Sequence, residues 1–331
     1  MANEFEGTGV TWGTRTLWVT SVISSLLLLA LIVAQVDWTA AGKLAKTINY
    51  FWAAAGIALQ MLEGTITALR FRLLSRTQAN FRDCLRASAW YVMFLIALPV
   101  RLGEVAGIAL IVRYLGERTG AAAASLLFQR LFDLIFLVAA LVVFCVSAFV
   151  QMSLLVVVAL VFVVLGLVAI VVFLEHLLAF AVRPLLVRRK QKWPRRILRI
   201  VLQVRMVRRH HMDRMRTIKL AALTLLKWIA TLGAVVVVVI AAVPNLSPTT
   251  AFGIGIVYNL SALIPIQTVG GFGISEAALL GSFGWLGYPL GIGASIAIAI
   301  RIVLLAGPLL FWLIVIVVLD RRAVTPTNVN E

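Results

Sequence analysis

Residues 263–280 read LIPIQTVGGFGISEAALL and lie inside one of the most apolar regions of the chain. Pro265, Gly270, Gly271 and Gly273 interrupt any continuous helix there, and Glu276 places an ionisable group among them. Hydrocarbon satisfies no backbone hydrogen bond, so a helix broken at membrane depth must be buried in protein or line a wet cavity. A carboxylate at that depth costs about 2.5–3.5 kcal/mol on insertion scales, which marks it as functional by default. The stretch reads as the turn and second limb of a re-entrant hairpin at a membrane-embedded site.

Composition sets the surroundings. The 331 residues are 62% hydrophobic and 13% charged, against about 25% charged in a soluble globular chain. Several apolar runs reach the roughly 20 residues that cross a bilayer, so the class is an all-α polytopic membrane protein. The net charge of +17 is explained by basic cytoplasmic loops. No nucleic-acid recognition motif accompanies it, and nucleic acid is not an expected partner. Cys84 and Cys145 form no CxxC pair, and His176, His210 and His211 show no ligand spacing. No P-loop, GxSxG elbow or dinucleotide fingerprint is present, so neither cofactor nor metal is expected.

Read in order, the chain predicts about six full transmembrane helices: 17–35, 48–69, 121–148, 153–174, 218–243 and 291–319. The first is long for a signal-peptide core, and acids precede it, so it is kept as a membrane helix. Residues 37–47 read as a short loop. Arg70, Arg72, Arg76, Arg82 and Arg86 follow within one loop, which the positive-inside rule places in the cytoplasm together with the N-terminus. LPVRLGE at 98–104 then splits the apolar run 87–112 into halves too short to span. A re-entrant hairpin there keeps Arg113 and Arg118 inside. A second hairpin occupies 249–288, entered from the outside. Between them lies a basic cytoplasmic loop, 183–217. From 183 to 219 the chain has fourteen Lys or Arg residues against Asp213 alone. That loop either sets topology or recruits anionic headgroups. Asp320, Arg321 and Arg322 mark a cytoplasmic C-terminal end.

The two interruptions match. Leu98-Pro99-Val100-Arg101 parallels Ile264-Pro265-Ile266-Gln267, and each is followed by Gly and then Glu: Gly103-Glu104, and Gly273 with Glu276. Each Glu is followed by an Arg within the next full helix, Arg130 after 26 residues and Arg301 after 25. Segments 48–148 and 218–319 therefore read as repeats of helix, hairpin, helix, inverted with respect to each other. Inverted repeats whose broken helices meet near the midplane are a transporter architecture.

The embedded ionisable groups are Arg101, Glu104, Arg130, Asp133, Lys227, Glu276 and Arg301, with Glu63 either among them or near the headgroups close to Arg70. Four basic and four acidic groups could simply neutralise one another. Alternatively, one or more arginines are available to an anion, since guanidinium binds phosphate bidentately. Helix N-termini at the hairpin tips add N–H donors, and Gly270, Gly271 and Gly273 let backbone approach a ligand. On this reading Glu104 and Glu276 orient the arginines or carry protons, and the site takes a lipid phosphate.

The sequence resembles the transmembrane, flippase-like family of lysylphosphatidylglycerol synthases. The resemblance rests on LPVRLGEVAGIALIVRYLGERTG, the QRLFD that follows, IPIQTVGGFGISEAALL, and Arg301. Members often show Pro-Gly-Gly-x-Gly-x-x-Glu; here Val269 replaces the proline. Gln129 stands where members often have Glu before Arg130. The resemblance implies translocation of a lipid between leaflets, with substrates that vary across the family: aminoacylated phospholipids, polyprenyl-linked sugars or hopanoids. The expected partner here is an anionic phospholipid, a polyprenyl-linked lipid or a hopanoid of a bacterial inner membrane. No segment reads as a soluble aminoacyl-transferase domain, so the protein is expected to move a lipid it does not make. Oligomer formation is left open. Two other classes compete: a membrane enzyme using Glu104 or Glu276 as acid or base, and a scaffold that recruits partners through the basic loop.

Overall fold

The computed structural model describes residues 30–75, 77, 79–98, 102–148, 213–261 and 273–320, with 27, 165 and 166 beside them. Among these residues every regular element is an α-helix: α1 Trp38–Thr47, α2 Tyr50–Leu74, α3 Phe81–Ala97, α4 Leu102–Leu115, α5 Thr119–Ala148, α6 Arg214–Ala242, α7 Pro248–Ser261, α8 Ile274–Trp285 and α9 Leu290–Asp320. Most of the expected helices 17–35 and 153–174, the basic loop up to residue 212, and the hairpin tips 99–101 and 262–272 lie outside the described residues.

Two expectations need correction. Residues 37–47 are not a loop: α1 fills them, because Asp37 caps it by accepting from the backbone N–H groups of Thr39 and Ala40 at 2.9 and 3.1 Å. And α2 does not stop at residue 69. It runs five residues further, so Arg70 and Arg72 are helical, and Arg70 is buried at 1% exposure. Its charge is accommodated there by an acid from α5, described below.

Helices α2 and α6 form the centre, side by side and antiparallel. Asn49 N–H donates to Ala241 O at 3.0 Å, Gly56 lies against Val238, and Glu63 faces Lys227. A Cβ on Gly56 would come within 2.3 Å of the Val238 methyl, so the small residue sets the closeness of the pair. The largest apolar core forms on the α6 side, where Val235, Val238 and Val239 meet Ile254, Leu279, Phe283 and Ile300 of the last three helices. A second core on the α2 side gathers Ala68, Phe71, Tyr91, Leu110, Ile111 and Leu126.

The short helices come as two pairs, α3 with α4 and α7 with α8. At 17, 14, 14 and 12 residues, each falls short of the roughly 20 needed to cross a bilayer. The pairs pack in a crossed manner. Helix α4 lies on α5 and α8 on α9, while α3 lies on α9 and α7 on α5. Three described helices are long and apolar enough to span a membrane, over Thr119–Ser147, Arg214–Ala242 and Leu290–Leu319. On the last, Ile302, Leu309, Leu313 and Val317 remain exposed, as suits a helix solvated by lipid tails.

Candidate functional site

The second limb of each short pair begins with the same local device. Glu104 is the third residue of α4 and Glu276 the third of α8. An acid in the first helical turn faces the unpaired N–H groups and the positive end of the helix dipole. In α8 the contact is explicit: the backbone N–H of Gly273 donates to Glu276 Oε2 at 2.6 Å. Gly273 reaches this geometry at φ 90°, a region that favours glycine. In α4 the tight feature is Gly103. A Cβ there would meet Phe94 O at 2.6 Å and Leu95 Cα at 2.7 Å, so the chain returns against its own first limb at backbone contact.

Each carboxylate meets an arginine from the following long helix. Glu104 Oε1 lies 3.3 Å from Arg130 Nε, and Glu276 Oε1 lies 3.1 Å from Arg301 Nε. The latter is an ion-pair contact rather than an aligned hydrogen bond. Each arginine also donates to a phenol from the first limb of the short pair. Arg130 Nη2 donates to Tyr91 Oη at 2.7 Å, and Arg301 Nη1 donates to Tyr258 Oη. The two constellations differ in accessibility. The side chains of Arg130 and Glu104 are 39% and 35% exposed, whereas those of Arg301 and Glu276 are 10% and 1% exposed.

The first constellation continues inward. Asp133, one turn beyond Arg130 on α5, has its Oδ2 3.9 Å from Arg130 Nη1. Its Oδ1 lies 3.1 Å from Arg70 Nη1 and 3.5 Å from Lys227 Nζ, and accepts from Trp228 Nε1 at 3.2 Å. Arg70 also donates to the Gln129 carbonyl at 3.0 Å, and Lys227 Nζ lies 3.7 Å from Glu63 Oε1. Lys227 sits 4.7 Å above the Trp228 ring. One acid from α5 thus binds cations from α2 and α6, tying the central helices to the first constellation.

These groups form a charge-balanced set. Arg70, Arg130, Lys227 and Arg301 oppose Glu63, Glu104, Asp133 and Glu276, and the eight formal charges cancel. A buried charge without a partner costs several kcal/mol, and each of these has an opposite charge within 4 Å.

The sequence profile of the lysylphosphatidylglycerol synthase TM region matches residues 17–311. The chain belongs to that family. The match spans both short helix pairs and both Glu–Arg contacts. No curated protein and no solved structure matches the chain at a significant level. Membership makes this a membrane protein of a lipid-related family.

Of the residues singled out from the sequence, the structure brings Glu104, Arg130, Asp133 and Lys227 into one network, and Gly273, Glu276 and Arg301 into another. Arg101, Gly270 and Gly271 lie outside the described residues. Glu63 does not simply sit beside Arg70; it faces Lys227. Sequence reasoning passed over Tyr91, Tyr258, Arg70 and Trp228. A signal for the tyrosines existed, since Tyr91 stands eight residues before Pro99 and Tyr258 seven before Pro265. None existed for Arg70, which reads as one more loop arginine. Among the described residues no three His, Cys, Asp or Glu side chains converge as metal ligands.

A groove of about 670 Å³ lies between α5, α7 and α8. It is lined by the apolar side chains of Phe144, Ile254 and Val257 and by the hydroxyls of Ser147, Thr250 and Ser282.

Proposed function

We propose that this protein moves an anionic lipid between the leaflets of a bacterial inner membrane, by alternating exposure of two Glu–Arg half-sites. On this reading six helices span the bilayer, and the pairs α3–α4 and α7–α8 are re-entrant hairpins entered from opposite sides. Segments 48–148 and 218–319 are then inverted repeats, with both chain ends and the basic loop 183–217 in the cytoplasm.

The packing pattern supports the repeat. Exchanging α2 with α6, α3 with α7, α4 with α8 and α5 with α9 carries each contact between these helices onto another contact that is present. The antiparallel α2–α6 pair maps onto itself, as elements astride a two-fold axis in the membrane plane must.

The observation that carries the transport reading is the unequal exposure of matched ion pairs. Arg130 and Glu104 are about one-third exposed, while Arg301 and Glu276 are nearly shut off. A carrier with inverted halves has one half open and the other closed at any moment. A phosphodiester bears one negative charge, the same as the carboxylate it displaces, and guanidinium accepts either in a forked geometry. The lipid phosphate exchanges with Glu104 at Arg130, and in the inverted state with Glu276 at Arg301. Lys227 and Asp133 hold the central helices around this exchange, and Arg101, Gly270, Gly271 and Gly273 contribute to phosphate binding at the hairpin tips.

The test is lipid translocation by the full chain in liposomes, using a headgroup-labelled phosphatidylglycerol and quenching of outer-leaflet fluorescence. Wild type should move label faster than protein-free vesicles, and Arg130→Ala should be slower by at least tenfold, about 1.4 kcal/mol of barrier. Equal rates for wild type and protein-free vesicles would refute transport.

A further inference from the structure

The ion pairs alone do not explain why a tyrosine stands behind each arginine. Arg130 is already compensated by Glu104 and approached by Asp133. Tyr91 is 6% exposed and packs among Phe71, Leu110, Leu126 and Ala68. Its ring meets Phe71 edge-on at 5.6 Å. Gly107 makes room for it, because a Cβ there would come within 2.6 Å of the ring. Phenylalanine would fill this space equally well. A hydroxyl in such apolar surroundings is costly unless its hydrogen-bonding capacity is used.

Among the described residues only half of that capacity is used. The phenol oxygen accepts from Arg130 Nη2, but a phenol also carries a donor. Tyr91 donates its own proton to no described residue. Accepting from a guanidinium polarises the O–H and strengthens it as a donor. The same set of residue types recurs on the equivalent helices of the other half, as Tyr258, Arg301 and Glu276, which argues against accidental packing.

We infer that Tyr91 is a binding residue of the first half-site: its phenol O–H and the Arg130 guanidinium together take the oxygens of a lipid phosphate once Glu104 swings away. The inference rests on the half-site reading above but concerns binding alone. The phenol fixes the guanidinium through its oxygen and completes the anion cradle through its proton, so one side chain both positions Arg130 and contacts the ligand. Tyr258 is its counterpart at Arg301.

The experiment titrates full-length protein in detergent with dioctanoyl-phosphatidylglycerol and reads the dissociation constant by thermophoresis. Tyr91→Phe removes one oxygen and keeps the ring, and it should weaken binding about tenfold, the loss of one hydrogen bond to a charged ligand. Tyr114→Phe, near the end of α4, serves as the control and should bind like wild type. A fluorinated tyrosine at 91 keeps the shape and makes the O–H a stronger donor, so it should tighten binding; this arm stands even if Tyr91→Phe does not fold. Binding by Tyr91→Phe within about twofold of wild type, an unchanged constant for the fluorinated residue, or no binding by wild type would each overturn the inference. Wild type that binds the lipid but moves none in liposomes would refute transport and leave the role of Tyr91 intact.

Discussion

Arg301 Nε stands 3.1 Å from Glu276 Oε1, and that carboxylate is 1% exposed. Glu276 also caps its own helix through the Gly273 N–H. Removing it takes the opposing charge from a buried guanidinium and uncaps a helix together. Glu276→Ala should therefore destabilise the fold by about 3–5 kcal/mol. The Glu276→Ala/Arg301→Ala double variant should lose less than the sum of the two single losses, because no uncompensated charge remains. Thermal unfolding in detergent measures both, and strict additivity would show that the two groups do not interact.

Asp133 holds two cations from two other helices, at 3.1 and 3.5 Å. Asp133→Ala should lower stability by about 3 kcal/mol or more, since Arg70 is 1% exposed and has no route to water. Lys227→Met should be milder: Asp133 keeps Arg70, and Glu63 is less deeply buried, its side chain 23% exposed. The check is the order of the two unfolding temperatures.

Gly103 and Gly281 are both helical glycines with opposite surroundings. A Cβ on Gly103 would strike backbone at 2.6 Å, whereas Gly281 has nothing within 4 Å. Gly103→Ala should cost about 1–3 kcal/mol by overpacking and displace the first turn of α4, Glu104 with it. Gly281→Ala should hold stability or gain up to about 1 kcal/mol from better helix propensity. Unfolding midpoints of the two variants decide.

The pairing of each Glu with an Arg in the next helix was readable, because acid and base recur at nearly equal spacing on either side of a broken apolar run. Pro99 and Pro265 mark the interruptions in the sequence, and the described helices on either side end at Ala97 and Ser261 and resume at Leu102 and Ile274. What escaped has a common cause: groups whose role depends on a distant helix carry no local mark. Arg70 reads as a loop arginine until Asp133, 63 residues later, arrives to neutralise it. Tyr91 and Tyr258 read as ordinary apolar-helix aromatics until their arginines are placed. Residues 37–47 look like a loop by their small and charged composition, and the cap at Asp37 outweighs that.

The central claim is that Arg130 gives up Glu104 to receive lipid phosphate, rather than merely balancing it. Exchanging the two charges, as Glu104→Arg with Arg130→Glu, separates these roles. The swapped pair can reform its contact, but an arginine at 104 faces the helix dipole and no longer sits beside Tyr91. Lipid translocation by this double variant in liposomes is the decisive measurement. The account predicts a folded protein with translocation at least about tenfold below wild type; translocation at the wild-type rate would contradict it.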